Sequence, residues 1–140
     1  MNILFVCQGN MSRSQMASAF FDSLTKNKNH VSTSAGTVVV EAVQGMEVKD
    51  RVKQVMAEEG IDMTGKVRKQ LTKQMVDGAD KIIVITEPGT HPDYLKESAK
   101  VEYWDIADTK EFDYTFKQKI RDQIKARVEK LVREIDKCVE

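Results

Sequence analysis

Asn2-Ile3-Leu4-Phe5-Val6-Cys7-Gln8-Gly9-Asn10-Met11-Ser12-Arg13-Ser14 decides the fold, because it sets a thiol, a glycine turn, a guanidinium and a hydroxyl between an apolar run and a helical pattern. Residues 2–6 are short and almost continuously apolar, as expected of a strand buried on both faces of a parallel sheet. From Arg13 onward Met16, Ala17, Phe20 and Leu24 recur at helical spacing, so the loop feeds the amino end of a helix. Backbone amides there point outward without intrahelical partners, and the macrodipole favours negative charge. The arrangement is that of an oxyanion cradle with a nucleophile at its base.

Each loop residue has a chemical reason for its place. The helix end and a nearby guanidinium favour the thiolate of Cys7 over the thiol. Gly9 offers positive φ and close approach of the backbone to a ligand, and Asn10 tolerates left-handed geometry. The amides of Gln8, Gly9, Asn10, Met11 and Ser12 are then able to converge on one anion. Arg13 presents a planar fork of donors that matches two phosphoryl oxygens, which a lysine does not reproduce. Ser14 supplies a hydroxyl to the sulfur, which favours the thiolate and improves it as a leaving group. Ser12 is expected to serve the loop or the helix cap.

Outward from the loop, strand-like and helix-like segments alternate without a linker. Val31–Ala35 reads as a second strand and Met46–Glu59 as an amphipathic helix ended by Gly60. Residues 70–78 read as a short helix, and the charged run Lys66–Lys73 as a solvated helix face. Lys81–Ile85 is a central strand, every residue after the lysine being β-branched. Pro92–Glu97 suggests another short helix and Val101–Trp104 a fourth strand, which makes Trp104 core. Phe116, Ile120, Ile124, Val128, Leu131 and Ile135 form one stripe along a final helix. The alternation predicts a single doubly wound α/β domain over residues 1–140, a four-stranded parallel sheet flanked by helices, with ligands at the carboxyl ends of its strands.

Composition agrees. The chain has 140 residues, 41% of them hydrophobic, and its 22 basic and 22 acidic residues cancel. One core is affordable at that length, and no basic excess points to nucleic acid. No charged-then-apolar leader and no apolar stretch near the ~20 residues of a membrane span is seen, so a cytoplasmic location is the expectation; the sequence does not fix the oligomeric state, a monomer being favoured. Cys7 and Cys138 stand at opposite ends, which argues for a reducing compartment over a disulfide framework. His30 and His91 have no ligand spacing to another metal-binding residue and are expected at the surface, and no metal or organic cofactor is called for.

The motif Cys-x5-Arg-Ser after an amino-terminal strand resembles the low-molecular-weight protein tyrosine phosphatases, whose sister group is the arsenate reductases of the same fold. The resemblance runs on through Ser34-Ala35-Gly36-Thr37, Gly60-Ile61-Asp62, Ala79–Thr86 and Tyr103-Trp104-Asp105-Ile106-Ala107-Asp108. It implies a cysteine-dependent phosphomonoesterase acting on a phosphorylated protein or a small phosphomonoester. Cys7 would be the nucleophile, Arg13 the phosphate clamp and Asp108 the general acid and base, with Asp105 as the fallback acid. Thr109 stands where the family usually has proline, which frees the acid loop. In place of the adjacent aromatics that wall the family's cleft, Phe112 and Tyr114 are the partial substitutes, and the loop after Thr37 has only Val38, Val39 and Val40. Met11 fills a position where threonine is associated with phosphoarginine, and leans towards an aromatic ester.

Two other functions compete. Thioredoxin-coupled arsenate reductases relay oxidation through two further cysteines after the third strand, and residues 86–103 contain none. Ser12 also replaces the second loop cysteine of many phosphatases. An arsenate reductase would therefore draw on an external thiol, Cys138 helping only if the last helix ends beside the loop. A phosphate-binding module without turnover is the remaining alternative.

Overall fold

The structure, a computed structural model, describes residues 1–86, 88–108 and 113–138, with Pro88 and Cys138 described by their backbone alone. Four strands, β1 (Asn2–Cys7), β2 (Val31–Gly36), β3 (Lys81–Val84) and β4 (Val101–Tyr103), form one sheet in the order β2-β1-β3-β4. Every pairing is parallel: Cys7 lies opposite Gly36, Val6 opposite Val84 and Val84 opposite Tyr103. All carboxyl ends thus share one edge. The order reverses at β1, so its end opens the crevice where such sheets bind ligands.

Side-chain alternation along β1 divides the core into two layers. Ile3 and Phe5 point to the face covered by α1 (Arg13–Leu24), α2 (Asp50–Ala57) and α5 (Tyr114–Cys138), where Phe20, Phe21, Ile124 and Val128 are buried. Leu4 and Val6 point to the other face, with Leu71, Val76 and Leu95 from the side of α3 (Lys73–Gly78) and α4 (Asp93–Lys96). Phe5 is the pivot of the first layer, its ring centroid 6.1 Å from Phe21 and 6.0 Å from Trp104. Trp104 is core, as expected, at 5% exposure. The stripe of the last helix is also core: Ile120, Ile124, Val128, Leu131 and Ile135 are all buried. Asp113 caps that helix by accepting from the Phe116 amide at 2.9 Å. Among the described residues no helix is long and apolar enough to cross a membrane.

Several boundaries move, each for a visible reason. The helix expected over Met46–Glu59 is confined to Asp50–Ala57, because residues 45–48 pair their backbone with 66–68 instead. The Arg68 amide donates to Met46 O at 2.9 Å and the Val48 amide to Lys66 O at 3.1 Å. The same pairing makes residues 66–72 of the run Lys66–Lys73 extended backbone rather than a helix face, and only Lys73 is helical. The short helix then starts at Lys73, after Thr72 accepts from the Met75 amide at 3.3 Å, since Gln70 bridges to Gly36. Gly60 ends the α2 region with φ +74, as its place after the helix requires. His30 and His91, expected outside, are each only 6% exposed. His30 Nδ1 lies 3.0 Å from the Met1 ammonium and its ring sits against Asp136 of α5. His91 stacks on Tyr103, with centroids 5.9 Å apart.

Candidate active site

The loop after β1 is wrapped by two later segments. Gly36 is essential to the first contact: a Cβ there would lie 2.6 Å from Gln8 O and 2.8 Å from Asn10 N, closer than real atoms approach. Its neighbours Thr37 and Val38 donate their amides to Cys7 O and Gln8 O at 2.9 and 2.8 Å. The second segment is the extended run 66–72. Arg68 Nε donates to Gly9 O at 3.1 Å, and Gln15 Nε2 donates to Val67 O at 2.8 Å. Nothing in the sequence pattern marked this run as part of the site.

The left-handed residue of the loop is Asn10, with φ 51, whereas Gly9 does not adopt positive φ. Gly9 instead lets the Arg68 guanidinium lie close over it, where a Cβ would stand 3.3 Å from Nη2. Asn10 is fully buried and acts as a hub. Its Nδ2 donates to Ser14 Oγ at 2.8 Å and to Ser34 Oγ at 3.0 Å, while its Oδ1 accepts from Gln15 Nε2 at 3.0 Å and from the Lys69 amide at 2.8 Å. Because Asn10 occupies a lone pair of Ser14 Oγ, the serine proton is left to point at Cys7 Sγ, 2.9 Å away.

Arg13 is 3% exposed. Its Nη1 donates to Ile106 O at 3.1 Å and its Nη2 lies 3.8 Å from Asp108 Oδ2, which ties the loop after β4 to the cradle. The two acid candidates therefore separate. Asp108 lines the same cavity as Cys7, Gln8, Gly9, Met11, Ser12 and Arg13, whereas Asp105 lines a different groove with Arg127 and Lys130. Thr109 and Phe112 lie outside the described residues. Tyr114 is no cleft wall: its hydroxyl donates to Glu58 at 2.6 Å, under the α2–α5 junction. Met11 faces the cavity, and its Sδ accepts from the Lys49 amide at 3.4 Å.

The cavity measures about 760 Å³ and its upper wall is charged. Lys49 and Arg51 from the start of α2, Arg68 from the extended run and Lys117 from α5 join Arg13 there, opposed by Asp50 and Asp108. Lys117 is held below its ordinary pKa first by burial and then by Arg51 and Lys49, with Asp108 working in the opposite direction. Val38 and Val40, 44% and 59% exposed, form the apolar part of the wall. Helix α5 runs from Lys117 beside the cavity to Cys138, 21 residues at ~1.5 Å rise, so its far end lies roughly 30 Å along the helix from the cavity-lining Lys117. The condition for Cys138 to serve Cys7 is not met.

This geometry coincides with a match to the family model of low molecular weight phosphotyrosine protein phosphatase over residues 2–140. The chain belongs to that family. It is 29% identical over 135 residues to the glutaredoxin arsenate reductase of Synechocystis sp., covering 95% of this chain and 97% of that protein. With the protein-arginine-phosphatase of Geobacillus stearothermophilus it shares 35% identity over 95 residues, 68% of this chain and 60% of the relative. A mutant of the YwlE arginine phosphatase carrying a phosphorylated active-site serine superposes with a TM-score of 0.84 at 22% identity, over 98% of this chain and 97% of that one. That structural likeness speaks to the fold, a single four-stranded parallel sheet with flanking helices.

Proposed function

We propose that this family member is a phosphomonoesterase acting on phosphotyrosine, through a phosphocysteine intermediate on Cys7. The observation that carries the reading is the placement of Cys7 Sγ at the base of a loop of backbone amides, 2.9 Å from a serine hydroxyl, in one cavity with Arg13 and Asp108. The sulfur anion attacks phosphorus in line with the ester oxygen. The P–O bond breaks as the S–P bond forms, and Asp108, protonated at this stage, gives its proton to the departing oxygen. Water then attacks phosphorus and loses a proton to Asp108, the S–P bond breaks and phosphate leaves. Arg13 and the amides of Gln8, Gly9, Asn10, Met11 and Ser12 hold the equatorial oxygens throughout. Ser14 donates to the sulfur when it carries charge, at the start of the first step and the end of the second.

The two sequence relatives named above are an arsenate reductase and a protein-arginine-phosphatase, so the choice of ester rests on this chain's own wall. Phosphoarginine presents a cationic guanidine as its leaving group, and the cations around this cavity repel it. Para-nitrophenyl phosphate and a phosphotyrosine peptide should be hydrolysed, and phosphoarginine much more slowly. Cys7→Ser should remove turnover while inorganic phosphate and vanadate still bind. Equal activity in that variant would refute the mechanism, and binding without turnover in the unaltered protein would leave only a phosphate-binding module.

Arsenate reduction with an external thiol is the second reading, favoured by the near full-length similarity to the glutaredoxin-coupled enzyme. Arsenate supplied with glutathione and glutaredoxin, followed by consumption of the reductant, separates the two: reduction faster than ester hydrolysis would put this reading first.

A further inference from the structure

The cradle accounts for one phosphoryl group, yet the cavity above it carries more positive charge than that group uses. Arg13 lies on the floor. Lys49, Arg51, Arg68 and Lys117 stand around the wall, on three separate segments, with Asp50 as a carboxylate among the described residues there. With a substrate phosphate against Arg13, the described residues of the wall still hold more cations than carboxylates. Lys117 is held below its ordinary pKa by burial first, with Asp108 opposing and Arg51 and Lys49 adding to the effect, and an incoming anion favours its charged form as Asp108 does. Lys49 and Arg51 are exposed on the mouth, where they meet parts of a substrate well beyond its phosphoryl group.

We propose that the site selects phosphorylated protein segments in which acidic residues flank the phosphorylated one. The inference rests on the phosphatase reading and names its substrate class. A cavity of about 760 Å³ is several times the volume of a phosphoryl group, so chain on either side of the modified residue has room within it. Because the cations are spread over α2, the extended run and α5, they suit several anions strung along a chain better than one second anion at a fixed distance. Val38 and Val40 offer the same chain an apolar wall for the stem of the phosphorylated side chain. Complementary charge at an exposed mouth acts mainly on encounter, and so on KM and its salt dependence.

The test is a set of phosphotyrosine peptides of one length, with Asp and Glu, Ser and Ala, or Lys flanking the phosphotyrosine. At low ionic strength kcat/KM should be about tenfold or more higher for the acidic peptide than for the neutral one, carried by KM and fading with added salt. The variant Lys49→Glu with Arg51→Glu should abolish or invert that order, read as the ratio of kcat/KM between acidic and neutral peptides so that any change common to all substrates cancels. Two glutamates at the start of α2 suit its dipole, so the fold is retained and thermal melting checks it. Fluorescence anisotropy of the labelled peptides on Cys7→Ser protein reads the same preference without chemistry. Absent hydrolysis of every phosphoester with an intact charge preference in that binding assay would overturn the phosphatase reading alone. Equal affinity for acidic and neutral peptides, an unchanged order in the double variant, or a sugar bisphosphate used in preference to every peptide would overturn this one.

Discussion

The floor and the wall of the cavity are built on opposite principles. The floor is buried, and its polar groups are committed to one another: Asn10 alone links Ser14, Ser34, Gln15 and Lys69, and Arg13 is seated on Ile106. The mouth is exposed and charged, and Lys49 and Arg51 project from the first turn of a helix. A buried network holds one geometry because each partner lost leaves another group unsatisfied. Exposed charge acts through the field, which tolerates motion and is screened by salt. Chemistry is therefore expected to depend on the floor and choice of substrate on the wall.

The largest break in that comparison is expected at Asp108. Asp108→Asn should lower kcat for alkyl phosphates by about 10²–10⁴-fold and for esters with good leaving groups far less, whereas Asp105→Asn should change either by under about twofold. A larger loss from the Asp105 variant would move the acid out of this cavity. Arg13→Lys keeps the charge and loses the fork, so kcat/KM should fall by about 10²–10³-fold. Retention of most activity would mean that charge alone suffices on the floor.

Asn10→Ala tests whether the floor is a network. It removes four hydrogen bonds of a buried amide and places alanine at φ 51, so urea unfolding should show a loss of about 2–4 kcal/mol, with kcat reduced as Ser14 loses its orientation. A stability change below about 0.5 kcal/mol would show that the hub is dispensable.

The smallest effect is expected away from both regions, at Glu58. Its carboxyl, held by Tyr114, Gln118 and Arg121, is lowered to about 2. Because the folded value lies below the ordinary 4.5, this clamp between α2 and α5 stabilises the fold above that pH and is lost as pH falls towards 2. Glu58→Gln should lower Tm slightly at neutral pH, and the gap from the unaltered protein should close on acidification. A gap independent of pH would show that the clamp acts by shape and not by charge.

The chemistry of the floor was legible in the sequence because it is local. Cys7, Asn10, Arg13 and Ser14 lie within one strand-loop-helix passage, where strand and helix periodicities fix the loop between them and residue types declare their uses. The parallel sheet was legible for the same reason, since each strand carries its own buried run. Three kinds of feature were not. The extended run at 66–72 has the composition of a solvated helix, and only pairing with residues 45–48 and with the loop makes it a wall of the site. His30 and His91 show no pattern of burial along the chain, and they are inside because α5 and Tyr103 cover them. Gly9 and Asn10 shared one expectation, and tertiary contact assigned them different parts, close approach to Arg68 for one and the left-handed turn for the other.

By itself the sequence determined a thiol at the carboxyl end of a buried strand, a guanidinium six residues on, and the alternation that makes a parallel sheet, all of them consequences of short-range periodicity and side-chain chemistry. Tertiary structure alone decided which of two aspartates shares a cavity with that thiol, which segments brace its loop, and which of the described cations gather at the mouth. Those depend on residues tens of positions apart meeting in space, and no local pattern records such meetings.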